Sequence, residues 1–152
     1  MMKELRAGQI IYFTPFYFKN GRSAPKPKYF IVLKKANNES ILASLPTRKD
    51  SIPNFIASEE TTGCFERTDI FFNVFRFDKQ TIITTNGKQF DFPTFVYGVH
   101  IDSYNISDLK EVYPVENTDY EIWGEMKREL FEKLIDCFKT SKQVKRKFKR
   151  LL

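Results

Sequence analysis

The segment SAPKPKYFIVLKK, residues 23–35, decides the fold. Two prolines and two lysines lead into YFIVL, an apolar run with the length and β-branched, aromatic character of a strand. The runs QIIYFTPF (9–16) and ESILASLP (39–46) are strand-like as well. Only residues 36–38 separate the second and third runs, which is short enough for a hairpin. The beginning of the chain therefore predicts three antiparallel strands, the first two joined by a long loop with an Asn-Gly turn.

Further strands are expected in the middle of the chain. IFFNVFRF (70–77), QTIITT (80–85) and TFVYGVHI (94–101) have strand composition, and the chain is rich in strand-forming aromatics, with 16 Phe and 7 Tyr. Asn86-Gly87 predicts a tight hairpin that joins TIITT to KQFDF. Six or seven short strands with tight turns are typical of a small barrel or a folded-over sheet.

The pattern changes to a helical one near Thr118. Apolar residues then recur at three- and four-residue steps, which predicts a helix over 119–138 with Thr118 or Asp119 as its N-cap, and the residues of this face are Trp123, Met126, Leu130, Leu134 and Phe138. Val144, Phe148 and Leu151 prolong the apolar face into a basic tail. The predicted organisation is a barrel domain over 1–117 and a helical extension over 118–152.

Charge is concentrated at the two ends of the chain. Residues 1–35 hold eight Lys/Arg and one Glu, and residues 139–152 hold seven Lys/Arg and no acidic residue. With a net charge of +6, the middle is therefore acidic. Basic ends of this kind indicate a polyanionic partner or simply well-solvated surfaces.

Several classes of protein are disfavoured. No run is long enough to cross a bilayer, and the N-terminus lacks the apolar core of a signal peptide, so a cytoplasmic protein without membrane contact is expected. Cys64 and Cys137 stand far apart, which suggests reduced, buried thiols. With one histidine and isolated cysteines, a zinc site is not expected, and no phosphate-binding glycine loop is present. We therefore expect no metal and no cofactor.

The candidate functional residues lie at predicted strand ends. Basic residues come before the second strand and after the third, namely Arg22, Lys26, Lys28, Arg48 and Lys49, and Thr47 accompanies the latter pair. His100 and Asp102 are two residues apart in a predicted strand, where alternation would place an imidazole and a carboxylate on one face. Arg76 and Asp78 form a second pair with the same spacing and are an alternative site.

The order of these features resembles the PemK/MazF toxin family. GQIIY from Gly8, a basic loop, KYFIVL from Lys28 and SLPT ending at Thr47 match the family's order of motifs over about the first third of the chain, and VHID ending at Asp102 matches more faintly. The chain has Lys28 where the family usually has arginine and Tyr29 where proline usually follows, and His100 also replaces an arginine.

The resemblance implies an SH3-like antiparallel barrel, usually a homodimer, that cuts single-stranded RNA without metal and is silenced by an antitoxin protein. It assigns Lys28 to the phosphate, Thr47 to a phosphoryl oxygen, and His100 with Asp102 to proton transfer. The neighbouring basic residues Arg22, Lys26, Arg48 and Lys49 are then expected to bind the RNA backbone. The competing hypothesis is a non-catalytic SH3-like module that binds RNA or protein through the basic loop and tail, with Phe and Tyr faces for stacking.

Overall fold

The computed structural model describes residues 2–45, 61–70 and 72–152. Within them the chain is mainly β, with antiparallel sheets and short helices near the C-terminus. The strands are β1 (Gln9–Phe16), β2 (Lys26–Ala36), β3 (Glu39–Ser44), β4 (Gly63–Arg67), β5 (Phe72–Phe77), β6 (Thr94–Tyr97), β7 (Ile101–Asn105) and β8 (Tyr120–Glu125). The helices are α1 (Ile106–Val112), α2 (Arg128–Thr140) and α3 (Arg146–Lys149), and 3-10 turns span Thr68–Ile70 and Gly98–His100.

Two sheets result from these strands. The first sheet has five strands in the order β7-β3-β2-β1-β8, and the second sheet has three in the order β4-β5-β6. Among the described residues the strands do not close into one barrel, because β7 and β8 form opposite edges of the first sheet. The structure therefore supports the mainly antiparallel β class that the sequence predicts.

The first three strands are confirmed where the sequence predicts them. β2 pairs with β1 through Ile10–Ile31 and Phe13–Lys28, and with β3 through Ala36–Glu39. Asn37 turns the β2–β3 hairpin with a φ of 56°, a left-handed conformation that asparagine tolerates better than most residues. The alternation of apolar residues in β2 sends Phe30 and Val32 to one face of the first sheet and Ile31 and Leu33 to the other.

The predicted strand at 80–85 is wrong. The Asn86-Gly87 turn is present, since Gly87 has a φ of 81° and its N–H donates to the Thr84 carbonyl at 3.1 Å. The backbone before the turn bonds instead to the end of β8, where Thr85 N donates to Glu125 O at 2.9 Å and Lys127 N donates to Ile83 O at 2.8 Å. The Asn86-Gly87 turn is thus formed as predicted, but the residues before it bond to the end of β8 instead of forming a hairpin strand.

The predicted strand at 94–101 is interrupted. β6 lies in the second sheet and β7 in the first, and the 3-10 turn Gly98–His100 carries the chain between them. A Cβ on Gly98 would lie 2.5 Å from Asn73 Oδ1 and 2.8 Å from Val144 Cγ2, so the crossing needs a residue without a side chain. This break bears directly on the His100–Asp102 pair.

The predicted helix over 119–138 is wrong in its first third. Residues 120–125 form β8, in which Tyr120 pairs with Phe13 and Ile122 with Ile11. Thr118 and Asp119 are not N-caps, and the Asp119 carboxylate accepts from Val115 N at 2.8 Å in the turn before β8. Trp123 lies on this strand and stacks on Phe90 with ring centroids 5.0 Å apart. Its helical spacing to Met126 was coincidental.

The C-terminal residues from 128 onward follow the predicted pattern more closely. α2 buries Leu134, Cys137 and Phe138, and Val144 and Phe148 continue this contact with the main core. Leu151 differs, since 38% of it is exposed. The basic tail is therefore attached to the main core by Val144 and Phe148, and the partly buried Leu152 packs against the same core. None of the helices in the described residues has the length and apolar character needed to cross a membrane.

The prediction of two separate, reduced cysteines is wrong for this structure. Cys64 on β4 and Cys137 on α2 form a disulfide across a sequence separation of 73 residues. Cys137 is buried and Cys64 is exposed. Their distance in sequence gave no indication of this contact, because it depends on how α2 packs on the second sheet.

Candidate functional site

Lys28 and Lys26 lie at the start of β2, on one face of the first sheet. Lys28 is the cross-strand partner of Phe13 and Lys26 that of Phe16, and directly opposed residues of antiparallel strands share a face. Lys28 is half-buried, whereas Lys26 is exposed with its Nζ 5.8 Å from the centre of the Phe18 ring. The strand thus presents two cations beside buried aromatic rings.

Three strand ends meet at this end of the first sheet. Leu45, the residue after β3, donates its N–H to the Tyr29 carbonyl at 3.0 Å. β7 begins with Ile101 opposite Ala43 of β3, so His100 precedes β7 at the same end. Thr47, Arg48 and Lys49 lie outside the described residues. The register therefore brings the start of β2, the end of β3 and His100 to one end of the sheet.

His100 and Asp102 do not share a strand face as the sequence predicts. His100 belongs to the 3-10 turn, where the two-residue alternation of strands does not apply, and its ring packs edge-on against Tyr97 at 5.5 Å. Asp102 lies in β7 opposite Leu42 and forms an ion pair with Lys19, with 3.3 Å between Nζ and Oδ2. The carboxylate is thus engaged by the basic loop.

Asp102 is also well separated from Lys28. Asp102 pairs with Leu42 and Leu42 with Val32, which is four residues along β2 from Lys28. With about 3.3 Å per residue and about 4.8 Å between strands, their Cα atoms lie about 13 Å apart along the strands and about 10 Å apart across them. Lys28 and Asp102 share a face of the sheet, but they do not converge on one small group.

The β1–β2 loop folds over this face. Lys19 Nζ donates to the Ser103 carbonyl and lies 4.1 Å from the centre of the Tyr104 ring, so the loop reaches from β1 across to β7. The tip of the loop is an Asx turn, in which Asn20 Oδ1 accepts from the N–H groups of Arg22 and Ser23 at 2.9 and 3.0 Å. Gly21 takes the positive φ of 65° that this turn needs. We call Lys19, Arg22, Lys26 and Lys28 the basic face.

Aromatic rings adjoin the basic face. Phe16, Tyr17, Tyr104 and Tyr113 surround the start of the loop, and Tyr17 is 53% exposed. Burial, assisted by the nearby Asp102 carboxylate, raises the pKa of the Tyr104 phenol to about 12. Burial also raises the pKa of Tyr113. Both phenols therefore remain neutral hydrogen-bonding groups at physiological pH.

The alternative pair, Arg76 and Asp78, lies in the second sheet and is largely buried. Arg76 Nη1 lies 3.3 Å from Asp78 Oδ1 and donates to the Thr61 carbonyl at 3.0 Å. The Arg76 side chain is 3% exposed and its guanidinium carbon lies 5.9 Å from the centre of the Phe95 ring. This pair connects β5 to the residues before β4 and offers little surface to a ligand.

Sequence reasoning missed Lys19 and the tyrosines around it. The run FYFK at 16–19 begins at the last residue of β1, and aromatic residues followed by a lysine at the start of a loop are the local signal that indicates this surface. Tyr104 and Tyr113 carry no such signal, because their position depends on the pairing of β7 with β3 and on the packing of α1.

Comparison with known proteins adds no assignment: no family model, no curated protein and no solved structure matches the chain. Within residues 2–45, 61–70 and 72–152, no three His, Cys, Asp or Glu side chains cluster as ligands for a metal ion. A function for this chain can therefore be inferred only from the geometry of the basic face and from the order of the sequence motifs.

Proposed function

We propose that this chain is a metal-independent endoribonuclease of toxin–antitoxin type, with an SH3-like arrangement of antiparallel strands, that cuts single-stranded RNA at the Lys28 end of the first sheet. The observation that carries the proposal is the meeting of three strand ends under a basic loop. The start of β2 with Lys28, the end of β3 that leads to Thr47, and His100 before β7 lie at one end of the sheet. The order of motifs that resembles the PemK/MazF family assigns the same three residues.

The chemistry requires three kinds of group. The ribose 2′-oxygen attacks the adjacent phosphorus, the bond from phosphorus to the 5′-oxygen breaks, and a cyclic phosphate and a 5′-hydroxyl result. One side chain takes the proton of the 2′-hydroxyl, one donates a proton to the leaving 5′-oxygen, and cations or donors stabilise the phosphoryl oxygens. Lys28 supplies the cation and Thr47 the hydrogen-bond donor. The exposed His100 takes the proton of the 2′-hydroxyl and gives a proton to the leaving 5′-oxygen. No step requires a cofactor.

Asp102 takes a different role from the one that the resemblance implies. Its carboxylate pairs with Lys19, so in this proposal Asp102 anchors the β1–β2 loop over the sheet. Arg22 and Lys26 on that loop, with Arg48 and Lys49 after β3, bind the RNA backbone. The family resemblance further implies a homodimer that an antitoxin protein silences, and the sequence predicts a cytoplasmic location. We include these as parts of the proposal.

The non-catalytic RNA-binding module is the second candidate. The observation that favours it is that His100 packs on Tyr97 while Asp102 pairs with Lys19, so the expected acid–base pair is divided between two contacts. Such a module needs only the basic face and the aromatic rings beside it.

Cleavage of a labelled single-stranded RNA in excess EDTA tests the proposal. The parent protein should cut, and Lys28→Ala and His100→Ala should each cut on the order of a hundredfold more slowly, the usual loss of one acid–base or charge-stabilising group. Lys28→Arg should keep activity, because arginine can replace lysine as a phosphate ligand. Loss of activity in this variant would show that Lys28 acts as a proton acceptor, a role that arginine does not take.

Lys34→Ala is the matched control, since Lys34 is an exposed lysine at the other end of the same strand. It should cut as fast as the parent. If the parent protein binds the RNA in EDTA but never cuts it, the catalytic proposal fails and the binding module replaces it. If His100→Ala cuts at the parental rate, His100 has no part in proton transfer.

A further inference from the structure

A cavity of about 180 Å³ opens beside the basic face, between the start of the β1–β2 loop, β7 and α1. Its walls are mainly aromatic rings, completed by the aliphatic side chains of Leu109 and Val112, and its rim carries Lys19 and Asp108. Neither the motif order nor the proposed cleavage reaction assigns any function to this cavity.

The aromatic walls are held in place by packing and by a hydrogen bond. Tyr113 stacks on Phe16 with ring centroids 5.8 Å apart and an interplanar angle of 9°. Its hydroxyl accepts from the N–H of Tyr17 at 2.9 Å, and the Tyr17 ring lies 6.0 Å from that of Tyr113. Tyr113 is itself buried, whereas Tyr17 is 53% exposed. The cavity therefore has a fixed ring as its floor and an accessible ring at its mouth.

The volume fits one flat ring system. Cavities of about 150 Å³ lined by apolar side chains accept a benzene molecule. A space of about 180 Å³ between tyrosine rings thus takes a single heteroaromatic base. Every nucleobase has a π-face that stacks on such rings, so this contact does not depend on the sequence of the RNA.

The rim distinguishes the two ends of a nucleotide. On the loop side, Lys19 presents a cation that is partly shared with Asp102. On the α1 side, Asp108 and the Asn105 amide form the rim, and Asn105 Oδ1 already accepts from Asp108 N at 3.0 Å as the N-cap of α1. A carboxylate there repels phosphate and accepts from base amino groups. The charges favour a phosphate toward the loop and a base in the cavity.

We infer that this cavity is a nucleobase-binding subsite, which holds one unstacked base of a single-stranded RNA while the basic face holds its backbone. The inference rests on the proposed function in that RNA is the ligand of the basic face, and it adds where a base is bound and by which rings. Tyr17 is the stacking residue at the mouth, and Tyr104 and Tyr113 form the inner walls.

Binding of an RNA that cannot be cut separates this inference from the cleavage reaction. A short fluorescent 2′-O-methyl RNA has its 2′-oxygens blocked, so its dissociation constant, measured by anisotropy in EDTA, reports binding alone. Tyr17→Ala should weaken binding at least about fivefold, the lower end of what one base–aromatic stack contributes. Tyr17→Phe keeps the ring and should bind within about twofold of the parent. Phe92→Ala is the matched control, because Phe92 is an aromatic side chain with a similar exposure of 47% before β6.

A strand with the same phosphates but no bases is the second ligand. Tyr17→Ala should bind this abasic strand as tightly as the parent does, since no base is present to stack. Equal binding of the base-bearing RNA by Tyr17→Ala and the parent overturns the inference and leaves the cavity to another occupant, such as a peptide. Equal weakening for both strands, or no RNA binding by the parent, overturns it as well. A parent that binds both strands but cuts no RNA refutes only the proposed cleavage.

Discussion

The two sheets each carry a cation paired with a carboxylate, and the two pairs differ in exposure. On the first sheet, Asp102 of β7 pairs with Lys19 of the β1–β2 loop, and the side chains of Lys19 and Asp102 are 52% and 46% exposed. In the second sheet, Arg76 and Asp78 are 3% and 18% exposed. Because the first pair is exposed, Lys19 can bind a polyanion in place of Asp102. The second pair is shielded from solvent and fixed by the surrounding packing. The difference in burial therefore leaves the first pair accessible to a ligand and gives the second pair a structural role.

The largest expected effect is on stability at the buried pair. Arg76→Ala leaves Asp78 and the Thr61 carbonyl without their guanidinium, and removing one partner of a buried ion pair costs about 3–5 kcal/mol of unfolding free energy. Arg67→Ala is the matched control, because Arg67 and Asp69 have the same spacing but are 49% and 61% exposed. Its cost should stay below about 1 kcal/mol. Urea unfolding measures both, and equal costs would refute the structural role of Arg76.

The Cys64–Cys137 disulfide should have the next largest effect. It closes a loop across 73 residues, which by chain entropy contributes about 4 kcal/mol to stability. Reductant should therefore lower the melting temperature of the parent by roughly 10 °C. Cys64→Ser should melt at the lower temperature with or without reductant. If the melting temperature of the parent protein is the same with and without reductant, the two thiols are free, as the sequence predicts.

A pH effect of intermediate size is expected at the aromatic cavity. Because burial raises the pKa of Tyr104 to about 12, the folded chain holds this proton over a pH range in which an unfolded tyrosine, with a pKa near 10, loses it. The contribution of Tyr104 to stability should be constant below pH ~10 and should be lost as the pH rises toward ~12.

Tyr104→Phe removes the titrating group and keeps the ring. The variant should lose the latest phase of a spectrophotometric tyrosine titration and should show a smaller loss of stability at high pH. If Tyr104→Phe and the parent titrate alike, Tyr104 is not the tyrosine with the raised pKa.

The smallest effect is expected at the exposed pair. A double-mutant cycle on Lys19 and Asp102 should give a coupling energy of at most about 1 kcal/mol, as for other surface pairs. RNA affinity should change in opposite directions: Lys19→Ala should weaken it, and Asp102→Asn should strengthen it within about fivefold, because Lys19 is then released to the phosphate. If Asp102→Asn cleaves more slowly with unchanged RNA affinity, Asp102 takes part in proton transfer.

Local patterns predicted the parts of the fold that depend on local contacts. β1, β2 and β3 are sequential hairpin strands with clear apolar runs, and the sequence placed all three. The Asn86-Gly87 turn was also correct. β8 was missed because Trp123, Met126 and Leu130 have helical spacing, although β8 is a short edge strand whose pairing with β1 spans more than a hundred residues. The spacing of apolar residues along the chain carries no information about such long-range strand pairings.

The candidate site was predictable only in its sequence-local half. Lys26 and Lys28 were evident from the charged approach to β2, and the structure puts them on one face with Lys19. The pairing of His100 with Asp102 depended on an unbroken strand, and Gly98–His100 interrupts it because the chain crosses there between sheets. The aromatic cavity requires residues from β1, β7 and α1 together, which no single segment of sequence indicates.

Hydrogen exchange with and without a non-cleavable single-stranded RNA tests the central claim, that the first sheet carries the ligand and the second is structural. Mass spectrometry should show RNA-dependent protection in residues 17–28 and 101–108, which hold the basic face and the rim of the cavity. The peptides that cover β4 and β5 should exchange at the same rate in both samples. Protection that appears in β4 and β5 instead, or at neither sheet, would contradict the assignment of RNA binding to the first sheet.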